Sequence, residues 1–183
     1  MSIPKIIHYC WFGRKPKPPL AEKCIKSWKK YCPDYEIIRW DETNFDVRSI
    51  PYTRWCHENQ KWAFLSDYVR LAVVAREGGI YLDTDVEMMC SFNKLLENQA
   101  FFGFEFTDCD DKFYVNCGHG FGAVPHHEAI RAVRNLYDHL PFVNSDGSLN
   151  LLASPHYTTQ SLRQMGLVQE NRDQKLPGVQ VYA

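Results

Sequence analysis

Asp83 and Asp85 stand two residues apart, directly after the apolar run Ile80-Tyr81-Leu82. Like charges this close repel, and burial raises the cost, so such pairs usually share a cation. An oxygen-only pair suits Mg2+ or Mn2+, which take carboxylates together with water and phosphate oxygens. Taken alone, Asp83-Thr84-Asp85 also fits a solvated loop. Its context favours a ligand site, because Gly78-Gly79 as a helix stop, a buried strand and the acidic pair follow one another without slack. Upstream, Asp67 and Arg70 are spaced i,i+3 and so share one helix face. A surface ion pair of that kind is worth under ~1 kcal/mol. Here the pair is embedded between Ala63-Phe64-Leu65-Ser66 and Leu71-Ala72-Val73-Val74-Ala75, which points it toward a pocket. A carboxylate and a forked guanidinium on one face can grip sugar hydroxyls as acceptor and donor.

The elements that must position these residues follow from hydrophobic period. Residues 5–12 read as a buried first strand ending at Gly13, and the basic, proline-rich stretch 14–19 as a loop. Leu20, Ala21, Cys24, Ile25, Trp28 and Tyr31 recur every three to four positions, the pattern of an amphipathic helix. Residues 35–40 form a second strand; 41–58 carry no clear pattern. The strongest helix is predicted over 61–77, and a short strand, 80–82, runs from it into Asp83. Strand-helix-strand-helix-strand predicts an α/β fold with a mostly parallel sheet flanked by helices. Ligands gather at the carboxyl ends of such strands, where Asp83 lies. Farther on, the pattern predicts a short helix at 93–97, a strand at 100–105, a glycine-rich strand or turn at 115–124, a helix after Pro125, a helix start at Ser154-Pro155 with the serine as N-cap, and a final strand at 179–182. With no repeat or linker, residues 1–183 read as a single domain.

Composition narrows the partners. The net charge of −1 gives no push toward nucleic acid. Arg14, Lys15, Lys17, Lys23, Lys26, Lys29 and Lys30 are opposed only by Glu22, which reads as a solvated face or as a weak peripheral contact of residues 14–30 with an anionic membrane. Seven cysteines without a CxxC pair argue for reduced thiols rather than a disulfide or zinc framework, and nothing at the N-terminus has a signal-peptide layout. A cytoplasmic protein, peripheral at most to the inner membrane face, is therefore expected. His126-His127 fit a helix N-terminus better than a metal site, and His8 a satisfied core histidine. His119, between Gly118 and Gly120, is a weaker candidate to approach a sugar or acceptor, and Gly118-x-Gly120-x-Gly122 lacks the spacing of a dinucleotide fingerprint.

Together, Ile3-Pro4-Lys5-Ile6-Ile7-His8-Tyr9-Cys10-Trp11-Phe12-Gly13, Ser27-Trp28, Trp40-Asp41, Ala63 through Arg70 and Gly78 through Asp85 resemble the DXD-containing sugar transferases of bacterial capsule synthesis. That group is related to yeast outer-chain mannosyltransferases and clostridial glucosylating toxins. The resemblance runs in order over roughly the first 105 residues and loosens afterwards. It implies a GT-A nucleotide-diphospho-sugar transferase fold and a retaining, metal-dependent hexosyl transfer with Mn2+ or Mg2+. The donor is a nucleotide sugar, with a UDP-hexose favoured and GDP-mannose open; the acceptor is a glycan or lipid-linked glycan. By the same resemblance Trp11, with Tyr9, contacts the base, Asp67 and Arg70 hold the donor hexose, Asp83 reaches ribose and metal, and Asp85 binds the metal. Glu105 and Asp67 are the candidates for a nucleophile, although front-side attack within an ion pair needs none. The family usually continues past its Val-Tyr strand into a segment that closes over metal and donor, which Ala183 precedes. The rival readings are a nucleotide-sugar binding module without turnover and a phosphohydrolase of the haloacid dehalogenase type.

Overall fold

A computed structural model of the chain describes residues 1–107 and 112–183. Cys109, counted above among the reduced thiols, lies outside the described residues. The first half builds the parallel part of the sheet. β1 (Ile6–Cys10) lies between β2 (Glu36–Trp40) and β3 (Gly79–Tyr81) and pairs in parallel with both. Parallel neighbours require crossovers. α1 (Pro19–Tyr31) supplies the first; α2 (Pro51–Glu58) and α3 (Trp62–Glu77) supply the second.

α2 occupies the polar stretch where the sequence showed no pattern. α3 ends where expected: Gly78 and Gly79 have φ of 69° and 97°, and a Cβ on Gly79 would come 2.8 Å from the Ile6 carbonyl oxygen. Only glycine combines that dihedral with that approach, so the turn into β3 is fixed by composition.

Beyond β3 the sheet turns antiparallel. A 3-10 turn (Asn93–Glu97) precedes β4 (Ala100–Thr107), which pairs with β5 (Lys112–Asn116) and β6 (Phe121–Ala123), and β6 in turn pairs with β3. A hairpin of β7 (Gln174–Leu176) and β8 (Val179–Tyr182) adds to β4, with β8 parallel to it. The strand order is β2-β1-β3-β6-β4-β8-β7, with β5 on β4. The sheet is thus mixed: parallel across β2, β1 and β3, and mainly antiparallel from β6 onward, where only β8 on β4 is parallel among the described strands.

Two cores sandwich it. α2, α3, α4 (Glu128–Tyr137) and α5 (Ser154–Arg163) bury Cys56, Leu65, Val69, Val73, Ile130 and Leu162 on one face; α1 buries Cys24 and Trp28 on the other with Ile7, Ile80 and Leu82. His8 is fully buried between β2 and α3, where its Nε2 lies 2.8 Å from the Gly78 carbonyl and its Nδ1 accepts from Trp40 Nε1 at 3.0 Å. It is the satisfied core histidine expected. His127 is the N-cap of α4, its Nδ1 accepting from the Ala129 amide. Of the six cysteines among the described residues, all are free and only Cys90 is exposed. No helix among them is long and apolar enough to cross a membrane.

Candidate active site

The carboxyl ends of β1 and β3 and the first turns of α3 converge on one cleft. It has a volume of about 380 Å³, and Trp11, Lys15, Ser66, Arg70, Asp83 and Asp85 are among the residues that line it. α3 runs back antiparallel to the strands, so its N-terminal half returns to the edge where β1 and β3 end. Four of the residues singled out in the sequence are therefore brought together, although they come from three separate segments.

Arg70 is the hub. Its Nη2 lies 3.2 Å from Asp67 Oδ1 and 3.2 Å from Asp83 Oδ1, and its guanidinium carbon sits 4.9 Å from the centre of the Tyr81 ring. Arg70 and Asp67 are both buried, at 6% and 8% exposure. Burial alone works against the Arg70 charge, but Tyr81, Asp83 and Asp67 outweigh it and hold its pKa well above the ordinary value. Burial pushes the Asp67 carboxyl up, while Arg70 and two hydrogen bonds from Ser154 pull it back. Asp67 accepts from the Ser154 amide at 3.2 Å and from its hydroxyl at 3.0 Å. Asp67 stands behind Arg70 rather than on the cleft wall.

Asp83 is held from three sides. Its Oδ1 accepts from Tyr81 OH at 2.9 Å, its amide donates to the Gly118 carbonyl at 2.8 Å, and Arg70 is the third contact. Glycine at 118 leaves room for the Asp83 carboxylate, which a Cβ there would displace. Asp85 is exposed at the rim. The loop that follows is braced from α1: Trp28 Nε1 donates to the Val86 carbonyl at 2.8 Å, and the Met88 amide donates to Ser27 Oγ at 2.8 Å. These contacts give the Ser27-Trp28 pair a physical role: it fixes the acidic loop.

Trp11 follows β1 directly, half-buried, with its indole Nε1 donating to the Lys15 carbonyl at 2.6 Å. That bond fixes the plane of the ring at the mouth of the cleft. Tyr9 is not brought there, which corrects the expectation of a base contact. It points to the same side as Trp11 but two residues deeper, buried edge-on against Trp28 at 5.7 Å between ring centres. Alternation on a strand puts i and i+2 on one face without putting both at its end.

Neither nucleophile candidate is among the residues that line the cleft. Glu105 is hydrogen-bonded to Asn116 Nδ2, and both Asp67 oxygens are occupied as described. Asn116 Oδ1 in turn accepts from the Gly118 and His119 amides at 2.5 and 2.6 Å, setting the turn that meets Asp83. His119 is exposed beside it. Tyr81, Gly118, Ser27 and Ser154 were not read as site residues from sequence. Tyr81 left a signal, since position i−2 to Asp83 places it on the same face, and Ser27 stood in the Ser27-Trp28 pair of the resemblance without a role.

Residues 18–102 match the family model described as the glycosyltransferase sugar-binding region containing a DXD motif. Two curated relatives are similar over about half of this chain. Subversion of eukaryotic traffic protein A of Legionella pneumophila is 29% identical over 130 residues, 56% of this chain and 20% of its own length. Inositol phosphoceramide mannosyltransferase 3 of Schizosaccharomyces pombe is 30% identical over 106 residues, 54% of this chain and 29% of its own length. The chain thus spans less than a third of either. Among solved structures, the PaToxG glycosyltransferase superposes with a TM-score of 0.63 at 20% identity, covering 89% of this chain and 70% of that one. The fold is the GT-A fold, and the resemblance to DXD-motif sugar transferases read from the sequence is borne out.

Proposed function

We propose, from the DXD sugar-binding region that this chain carries, that it is a retaining glycosyltransferase. It moves a hexose from a nucleotide-diphosphate sugar, a UDP-hexose before GDP-mannose, to a glycan or lipid-linked acceptor of surface polysaccharide synthesis. The observation that carries this reading is the single cleft lined by Trp11, Arg70, Asp83 and Asp85, with Asp67 buried behind Arg70.

Each side chain has a task that its chemistry suits. Trp11, with its indole fixed through Lys15, offers a flat face for the base. Arg70 supplies a permanent charge toward the hexose, and its Nε on the Ser66 carbonyl and Nη2 on Asp67 and Asp83 keep the guanidinium oriented. The acidic pair fits a divalent cation. Among the described residues no group of three or more His, Cys, Asp or Glu converges, so Asp83 and Asp85 would hold such an ion with water and diphosphate oxygens completing its shell. Mn2+ or Mg2+ bound there supplies Lewis-acid stabilisation of the departing diphosphate.

Breaking the anomeric C–O bond leaves positive charge on the sugar and negative charge on the leaving group. The buried Arg70 faces that negative charge from a preorganised position. A double displacement needs a free carboxylate near the anomeric carbon. Neither Glu105 nor Asp67 is among the residues that line the cleft, which favours front-side attack within an ion pair instead. The basic face of residues 14–30, where Lys23 pairs with Glu87 at 2.7 Å, would add a weak contact with an anionic membrane beside the acceptor.

Incubating the chain with UDP-hexoses or GDP-mannose and Mn2+ and following release of the nucleoside diphosphate tests the reading. Metal-dependent release from one donor supports it. Binding of the donor with no release, with or without acceptor glycans, would instead make the chain a binding module.

A further inference from the structure

We propose that Ser154 is a positioning residue of the donor-sugar site, acting on the sugar through Asp67. The inference rests on the reading of Arg70, oriented by Asp67, as the residue that meets the hexose.

Ser154-Pro155 reads in the sequence as a helix start with the serine hydroxyl capping its own helix. The structure begins α5 there but uses the serine differently. Ala153 occupies the N-cap position, and no side chain caps the helix. Ser154 is the first helical residue, 2% exposed, and directs both its amide and its hydroxyl at one carboxylate on another helix. The first amides of a helix lack partners within it, and an acidic group beside them is favoured by the helix dipole. Asp67 of α3 therefore serves as the acceptor that α5 lacks.

The geometry makes this more than a packing contact. Asp67 Oδ1 receives the Ser154 hydroxyl and the Arg70 Nη2, so the serine fixes the oxygen on which the arginine rests. The same Arg70 nitrogen reaches Asp83. If Asp67 were free to rotate, Arg70 would lose one of the two anchors that keep it between the helix and the acidic loop. α5 is itself held in the same frame. Thr159 Oγ1 accepts from the Val115 amide at 2.8 Å, and Thr158 Oγ1 lies 3.0 Å from Cys117 Sγ. Those partners lie just before Gly118, whose carbonyl holds the Asp83 amide. Ser154 and the acidic loop are thus positioned by one short stretch of chain.

The test measures the contribution of the hexose to binding: the ratio of the affinities for UDP-hexose and for UDP, each with Mn2+. Ser154→Ala should reduce that ratio about tenfold, within the range for one hydrogen bond to a charged group, and leave UDP affinity unchanged. Ser154→Thr, which keeps the hydroxyl, should stay within about threefold of the parent. In an Asp67→Asn background Ser154→Ala should cost less than about twofold more, because the serine acts through that carboxylate. An unchanged ratio in Ser154→Ala, or equal losses with and without Asp67→Asn, would overturn the proposal. A parent chain that binds UDP-hexose no more tightly than UDP would instead overturn the assignment of Arg70, oriented by Asp67, to the sugar.

Discussion

Arg70 places its Nη2 3.2 Å from Asp83 Oδ1, tying the middle of α3 to the acidic loop that follows β3. The same nitrogen rests on Asp67, so one buried cation joins two carboxylates from different elements. Coulomb attraction in a dry setting makes such a cation both a structural pin and a fixed source of positive potential at the cleft.

Removing that cation separates the two roles. Arg70→Ala leaves the Asp67 carboxylate buried beside Ser154 alone and should cost about 3–5 kcal/mol of stability, read as a lower denaturant midpoint. Arg70→Lys keeps the charge but not the fork. It should restore most of that stability and still lower donor turnover at least about tenfold, because Nη2 alone meets both carboxylates and a lysine loses the other guanidinium donors, Nε to the Ser66 carbonyl among them.

Gly118 is constrained by space. Gly118→Ala sets a methyl against the Asp83 carboxylate and close to Arg70 Nη1, 3.2 Å from the added carbon. The expected outcome is a folded protein whose metal-dependent nucleotide binding falls more than about tenfold. Unaltered binding with Mn2+ would show that Asp83 can move without consequence.

Ser27 acts at a distance from the ligand. Its hydroxyl is the acceptor for the buried Met88 amide. Ser27→Ala leaves that donor without a partner, at a cost of about 1–3 kcal/mol. Hydrogen exchange at Met88 should accelerate, and Mn2+-dependent nucleotide binding should weaken with it.

His8 predicts a pH dependence of stability. Burial lowers its pKa from 6.5, only partly offset by the bond to the Gly78 carbonyl. The neutral ring uses Nε2–H toward Gly78 and the Nδ1 lone pair toward Trp40, so a second proton would set two N–H groups against each other. The unfolded chain therefore binds the proton more readily. The stabilisation is full above pH 6.5 and is lost as pH falls below it toward the folded pKa, by at most ~1.4 kcal/mol per unit. His8→Gln should flatten this part of the stability profile below pH 6.5.

What could be read in advance divides along physical lines. β1, α1, β2 and α3 are long runs with a clean period, so their apolar residues announce them. Asp67, Arg70, Asp83 and Asp85 stood out because charge amid apolar sequence, or a close acidic pair, needs a reason. α2 was missed because its buried residues, Tyr52, Thr53 and Cys56, give too few points to show a period; Pro51 at its first turn was the available signal. β7 has three residues, too few for alternation to register. Tyr9 was carried to the base with Trp11 by the resemblance, which does not give its depth along the strand. The roles of Ser154 and Gly118 depend on contacts between segments far apart in the chain, and no local pattern carries that information.

The assignment of the acidic pair to a cation at the diphosphate is tested most directly by the shift in melting temperature that UDP produces with and without Mn2+, in the parent chain and in Asp85→Asn. Asp85 is exposed at the rim, so its substitution should leave the fold intact. A Mn2+-dependent shift in the parent that disappears in Asp85→Asn is the predicted result. An equal shift in both proteins, or one that needs no metal, would contradict it.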